Sequence, residues 1–377
     1  LLPRVLFISK PIAPPFHDGT KCLVRDVASH LERVRPVVLT SRGQGHSESL
    51  PAGRVELVPV YPTAGAFAPK LADNVHAAAW VVLRSRADVW HFVFAPNPRT
   101  SSVGKGMKRL RGVPVIQTVA SPPRSFESIS RLLFGDVIVA QSRWTERRIR
   151  DACESERHRP PRIEVVPPPV PEIAPRSPEA TRELSQKLRI PEGAPLFVYP
   201  GDLETSSGAS VTAGICAELA RVLPEAVVVF AYREKTPRAR AVAEELEQRL
   251  AGTNVRLVSE LPDVLVLIQA ATALLFPVDD LWGKVDLPIV LLEAMSLGVP
   301  VLALDRGPLA DLEGAIKLDS LDVKSWVERA LGLAGNVEVR RAATEAGKRA
   351  VAERYAAPRI AAAYEELYLE VGRVGVK

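Results

Sequence analysis

Cysteine is scarce: the 377 residues hold three, Cys22, Cys153 and Cys216, odd in number and unrelated in spacing. No disulfide framework and no zinc motif can be read from them. The six histidines never approach one another at metal-ligand spacing, so no metal and no other cofactor is implied. No apolar run reaches the roughly 18 residues needed to cross a bilayer, and Leu1-Leu2-Pro3-Arg4 leads into a strand without a signal-peptide pattern, so a cytoplasmic chain is expected. Gly-x-Gly-x-x-Gly follows the first strand of neither half, and the P-loop pattern and Gly-x-Ser-x-Gly are both missing. Dinucleotide oxidoreductases, P-loop NTPases and nucleophile-elbow hydrolases are thereby disfavoured.

What is present is an ordinary globular composition, 47% hydrophobic and 25% charged, long enough for roughly two domains. The formal charge of +5 conceals an asymmetry. Residues 1–172 carry 25 Lys and Arg against 15 Asp and Glu, whereas the remainder carries 24 against 29. A basic first half suits an anionic partner such as a lipid phosphate or a membrane surface, with nucleic acid the poorer fit, or else is a solvated arginine-rich surface.

Apolar runs at 5–9, 36–40, 55–60, 88–94, 114–120, 136–141 and 163–166 have the continuous character of parallel strands buried on both faces. Helical patterns between them, at 21–34, 70–86, 101–111 and 143–153, give the alternation of a doubly wound sheet. The run Pro167-Pro168-Pro169-Val170-Pro171 holds the chain extended and marks the linker. A second alternation follows, with strands at 196–199, 226–232, 255–258, 273–278, 300–304 and 316–318 and helices at 179–188, 208–223, 238–250, 264–271, 288–297 and 322–333. The expected division is 1–172, a linker region 173–192, a second domain 193–355 and a terminal helical segment 356–377.

The second domain contains Leu287-Pro288-Ile289-Val290-Leu291-Leu292-Glu293-Ala294-Met295-Ser296-Leu297-Gly298-Val299-Pro300-Val301. It reads as a short buried helix opened by Pro288 and closed by Gly298, with the carboxylate of Glu293 at its centre needing donors. This segment resembles the donor-site motif of GT-B glycosyltransferases of family 4, also called group 1. The resemblance implies two tandem Rossmann-like α/β domains facing a cleft, a nucleotide-sugar donor held by the second domain, an acceptor held by the first, and a terminal helix packed back on the first domain. It further implies transfer with retention and without a metal, and a ribose-binding role for Glu293. The acceptor would be a carbohydrate, lipid-linked or other small molecule, with peripheral contact to an anionic membrane an accompanying expectation.

Several positions depart from the family pattern. Eight residues before Glu293, where the family carries a sugar-binding glutamate, stands Val285, flanked by Lys284 and Asp286; Asp286 is the substitute candidate. A family histidine is matched by Ala120, and His91, within the strand 88–94, is the other catalytic candidate against the plain reading of a hydrogen-bonded core residue. Tyr199-Pro200-Gly201-Asp202 stands where the family has a phosphate-clamping arginine. Arg233 and Lys235, just past a strand end, are the expected replacement, with Gly208 at a helix start adding backbone N–H groups, or else they are loop charges in solvent; Gly201 is a further donor-binding candidate. Acceptor-side candidates are His17, Gly19, Thr20 and Lys21 in the loop after the first strand, where Gly19 and Thr20 are expected to let a phosphate or sugar approach a helix N-terminus, or Gly19 merely serves the turn. Two other readings stand beside the transferase: a GT-B protein that binds a nucleotide sugar or partner without catalysis, and a GT-B sugar-nucleotide epimerase.

Overall fold

A computed structural model describes residues 2–14, 16, 18–62, 69–234, 236–259 and 261–374. The chain divides into two compact units, of which the first combines Leu1–Pro171, Trp282–Ile289 and Arg354–Lys377, and the second Glu172–Leu281 and Val290–Glu353. The short segment Trp282–Ile289, far from residues 1–171 in sequence, was not foreseen as part of the first unit.

Unit 1 is built on seven strands: β1 (Arg4–Ile8), β2 (Arg35–Ser41), β3 (Glu56–Tyr61), β4 (Val89–Phe94), β5 (Val115–Val119), β6 (Val137–Ala140) and β7 (Ile163–Val165). They lie in the order β3-β2-β1-β4-β5-β6-β7, every pair parallel. Their apolar runs follow from this arrangement, since a sheet covered on both faces has no polar side. Helix α1 (Gly19–His30) lies on one face, and α2 (Leu71–Arg84) and α3 (Pro98–Arg111) lie together on the other. Helix α4 (Arg143–Ser155) follows β6, with Ser142 as its cap accepting from the Thr145 amide.

Unit 2 repeats the plan with β8 (Leu196–Tyr199), β9 (Val227–Ala231), β10 (Val255–Val258), β11 (Ala273–Phe276), β12 (Val301–Leu304) and β13 (Ile316–Leu318) in the order β10-β9-β8-β11-β12-β13. Its helices are α5 (Pro178–Lys187), α6 (Gly208–Val222), α7 (Arg238–Arg249), α8 (Val264–Gln269), α9 (Ile289–Ser296), α10 (Val323–Gly335) and α11 (Val337–Ala350). Helix α11 escaped the sequence reading because only Asn336 separates it from α10. That residue ends one helix and caps the next, its side chain accepting from the amides of Glu338 and Val339. Each sheet reverses its strand order once, beside β1 in unit 1 and beside β8 in unit 2. In doubly wound sheets the loops at that reversal form the ligand-binding edge.

After Val170 pairs with Ala356 in an isolated parallel bridge, α12 (Ala357–Val374) runs along α1. Its Ile360, Ala361, Tyr364, Leu367, Tyr368 and Val371 belong to the same core as Leu23, Val24, Val27 and Ala28 of α1. The Glu365 carboxylate accepts from the amides of Glu32 and Arg33 at 2.5 Å each, capping the chain just past α1.

A buried polar chain crosses this core. The Tyr368 hydroxyl lies 2.8 Å from His91 Nδ1, His91 Nε2 lies 2.7 Å from Thr118 Oγ1, and Thr118 Oγ1 lies 3.2 Å from the Tyr364 hydroxyl. His91 is fully buried and both ring nitrogens are engaged, so the expectation of a catalytic His91 gives way to a core residue that joins α12 to β4 and β5. Burial pushes its pKa down to about 3, keeping it neutral at ordinary pH.

The unfolded histidine protonates near its ordinary 6.5 and the folded one does not, so between pH 6.5 and 3 the unfolded state binds the extra proton and stability falls as pH falls. The expected slope is about 1.4 kcal/mol per pH unit below 6. His91→Leu should abolish that component of the slope in denaturant melts at pH 6 and pH 4, and should cost about 1–3 kcal/mol at pH 7 by orphaning its hydroxyl partners. An unchanged slope in the variant would assign the acid sensitivity to other groups.

Candidate functional site

The loop from β1 to α1 is organised by Asp18. Its carboxylate caps α1, accepting from the amides of Thr20 at 3.0 Å and Lys21 at 3.2 Å, and pairs with Lys10 Nζ at 2.9 Å. Burial pushes the Asp18 carboxyl up, and the Lys10 charge with these hydrogen bonds more than reverses it, leaving it below the usual range. A carboxylate therefore already occupies the positive end of the helix. The expected approach of a phosphate or sugar past Gly19 and Thr20 to this helix N-terminus is corrected accordingly. Lys21 is itself buried, its Nζ donating to the Ala13 carbonyl at 3.3 Å, and burial depresses its pKa. His17 lies outside the described residues.

Gly19 admits a neighbour. A Cβ placed there would lie 3.0 Å from Val285 Cγ1, and Val285 is buried in an apolar cluster with Cys22 and Ile289, with Phe16 against it. The glycine thus serves the close approach of the segment Trp282–Ile289. Two further contacts hold that segment in unit 1: the Arg124 guanidinium stands 4.2 Å from the Trp282 ring centroid, and the Ser142 hydroxyl donates to Asp286 Oδ2 at 2.6 Å. Asp286 is fully buried. Its expected catalytic role is replaced by an anchoring one, since this oxygen is bound to the serine that caps α4. Lys284, half-buried, and Pro288, buried, lie in the same segment. Gln141, the residue before Ser142, is fully buried with neither amide atom hydrogen-bonded. The sequence reading passed over it because it merely ended an apolar run.

In unit 2 the loops after β8, β9 and β11 meet at one edge. The Thr236 hydroxyl donates to Glu204 Oε1 at 3.2 Å, and the Ser207 amide donates to Asp279 Oδ1 at 3.0 Å. Burial raises the Asp279 carboxyl, while hydrogen bonds from Ser207 and the nearby Arg306 charge bring it below its ordinary value. Gly201 and Gly208 both serve Tyr199: a Cβ at either would stand 2.4 Å or 2.8 Å from the Tyr199 hydroxyl, which donates to the Asp202 carbonyl at 2.8 Å. The donor-binding expectation for Gly201 is thereby replaced by a packing requirement. Arg233 is exposed two residues beyond β9, and Lys235 lies outside the described residues. Arg306, just past β12 and exposed, is a cation at the same edge that the sequence reading missed.

Glu293 sits mid-way along α9. Leu291, Leu292, Ala294 and Met295 around it are fully buried, whereas Glu293 itself is half-buried. The helix ends where Gly298 takes φ 81° and Val299 N bonds the Ala294 carbonyl at 2.8 Å, a turn that starts β12. Thr344 of α11 donates to the Gly298 carbonyl at 2.8 Å and fixes this turn. Among the described residues no cluster of three or more His, Cys, Asp or Glu side chains is placed to hold a metal ion.

Residues 180–349 match the family model described as Glycosyl transferases group 1. The match runs from within α5 to near the end of α11. A search of curated proteins gives no match. Among solved structures, the chain is similar to a glycosyltransferase from Rickettsia africae, with a TM-score of 0.74 and 14% identity over 98% of each chain. It is similar to HepE of Anabaena in complex with UDP-glucose, with a TM-score of 0.71 and 14% identity over 97% of this chain and 99% of that one. WaaG, a glycosyltransferase involved in lipopolysaccharide biosynthesis, gives 0.62 and 19% over 95% and 98%. The two parallel-sheet α/β units are thus those of the GT-B fold.

Two substitutions test these assignments. Ser142→Ala should destabilise the protein by about 1–3 kcal/mol in urea melts, because it deprives a buried carboxylate of a donor, and a double-mutant cycle with Asp286→Ala should show a coupling above about 0.5 kcal/mol. Gly201→Ala should cost about 1–3 kcal/mol by driving a methyl group into the Tyr199 ring. A Gly201→Ala variant as stable as wild type would reopen a ligand-binding reason for the glycine.

Proposed function

We propose that the protein transfers a glycosyl group, with retention, from a nucleoside-diphosphate sugar to a small or lipid-linked acceptor. The observation that carries this reading is Glu293, a half-buried carboxylate between the fully buried Leu292 and Ala294, inside the span that matches the group 1 glycosyltransferase family. The UDP-glucose held by the neighbouring HepE supplies the donor class.

In this reading Glu293 accepts hydrogen bonds from the ribose hydroxyls. Arg233 and Arg306, at the edge where α6 also begins, supply the positive charge that Asp202 does not, and Lys235, two residues after Arg233 in sequence, is assigned to the same role. Arg233 and Arg306 each offer paired N–H groups to phosphate oxygens. The bond from the anomeric carbon to the donor phosphate breaks, a bond from that carbon to the acceptor oxygen forms, and the acceptor proton passes to the leaving phosphate. Catalysis then consists of positioning and charge stabilisation, with no metal required of the protein. Asp286 and His91 take no part at the reacting atoms.

One observation favours binding without transfer: Val285 is buried against Gly19, Cys22 and Ile289, and offers no hydrogen bond to a sugar. The readings separate by product. A transferase releases nucleoside diphosphate only with acceptor present, an epimerase changes the donor sugar without acceptor, and a binder does neither.

Calorimetry with UDP-glucose tests the role of Glu293. Glu293→Gln should weaken binding by about 1.5–3 kcal/mol while the thermal midpoint without ligand stays near that of wild type. Equal affinity in both proteins would discard the ribose contact. Arg233→Ala/Arg306→Ala should lower affinity for UDP by about 10- to 150-fold and leave uridine binding unchanged.

A further inference from the structure

We propose that the outward face of α2 and α3 docks on an anionic lipid surface. The proposal is independent of glycosyl transfer, since it concerns the face of unit 1 turned away from its sheet. The two helices pack side by side over one sheet face, burying Ala77 and Val81 of α2 and Met107 of α3 in the same core. Their opposite sides are turned to solvent, and they are unusually apolar. Leu71, Val75 and Leu83 are 79%, 61% and 76% exposed, and Val103 and Leu110 are 52% and 75% exposed.

The spacing makes ridges of these residues. Leu71, Val75, Ala79 and Leu83 recur every fourth position, a strip about 18 Å long at 1.5 Å per residue. Val103 and Leu110 are seven apart and share one side of α3. A core would hide such leucines; two parallel ridges of them on neighbouring helices call for a partner.

Charge selects that partner. Between Lys70 and Arg111 the chain carries eight basic residues against Asp73 and Asp88. Among the described residues only one of the eight, Lys108, forms an ion pair, with Asp136 at 2.6 Å. Arg84, Lys105, Lys108, Arg109 and Arg111 gather toward the C-terminal ends of the two helices, at the edge where β4 and β5 begin. A cavity of about 820 Å³ at that edge is lined by Lys105, Lys108, Arg109 and Arg162 against Asp136 and Glu370. Apolar ridges beside an excess of unpaired cations match the interfacial region of a bilayer with anionic headgroups: the leucines enter the acyl boundary and the cations meet the phosphates. An acidic protein partner would match the cations but gives no reason for leucines protruding along two helices. Among the described residues no helix is long and apolar enough to cross a membrane, and the proposed contact is a peripheral one.

The test is co-sedimentation of the full chain with phosphatidylcholine vesicles, with and without phosphatidylglycerol, at about 50 mM and about 500 mM salt. The wild type is expected to pellet with the anionic vesicles at low salt, to stay in solution with the neutral ones, and to be largely released at high salt. Leu83→Ser/Leu110→Ser should lower vesicle partitioning about tenfold at low salt, and Arg84→Glu/Arg109→Glu should abolish it. All four positions are exposed, so unchanged thermal midpoints control for folding. The proposal fails if the wild type stays in solution with anionic vesicles at low salt, or if the leucine variant partitions as the wild type does. It also fails if light scattering shows a wild-type dimer that the leucine variant breaks, which would make the face a contact between copies of the chain.

Discussion

One hydrogen bond, from the Ser142 hydroxyl to Asp286, governs how the chain returns to its first unit before entering α9. A carboxylate so fully buried is costly unless donors meet it, and here the donor is the residue that caps α4 and accepts the Thr145 amide. The same short segment seats Val285 where Gly19 leaves room and sets Trp282 beneath Arg124. Each contact is modest, but all act on eight consecutive residues, so this segment is held within the first unit by side chains more than a hundred positions away.

The strands were legible in the sequence because a parallel sheet covered on both faces must be written in uninterrupted apolar residues, as in Val137-Ile138-Val139-Ala140. Helix α11 was not, since Asn336 ends one helix and starts another without a turn between them. The terminal helix was legible from its apolar spacing, and Tyr364 and Tyr368 fall on its buried side.

The candidate site was readable only in part, for reasons that differ by residue. Glu293 stood out because a lone carboxylate in an apolar helix is expensive. Asp286 stood out because it neighbours Val285, where the resemblance leads one to expect a glutamate, yet the structure uses it as an anchor, and sequence alone does not say which partner a buried charge has found. Gly19 and Gly201 looked like room for a ligand, whereas the space at each is taken by Val285 or Tyr199. A glycine in a loop announces close approach but not what approaches. Arg306 went unread because two charged residues after a strand look like any solvated turn.

The first unit is discontinuous in the chain, and this bears on the order in which the protein is made. Its core includes Ile360, Tyr364 and Tyr368, nearly two hundred residues beyond Pro171. At about 5–20 residues per second, a ribosome needs roughly 10–40 s to travel from one to the other. For that interval the groove that α12 will fill, with His91 and Thr118 in its floor, stands open on the nascent chain. Unit 2 is synthesised within that interval, so the second unit has every residue it needs before the first can close.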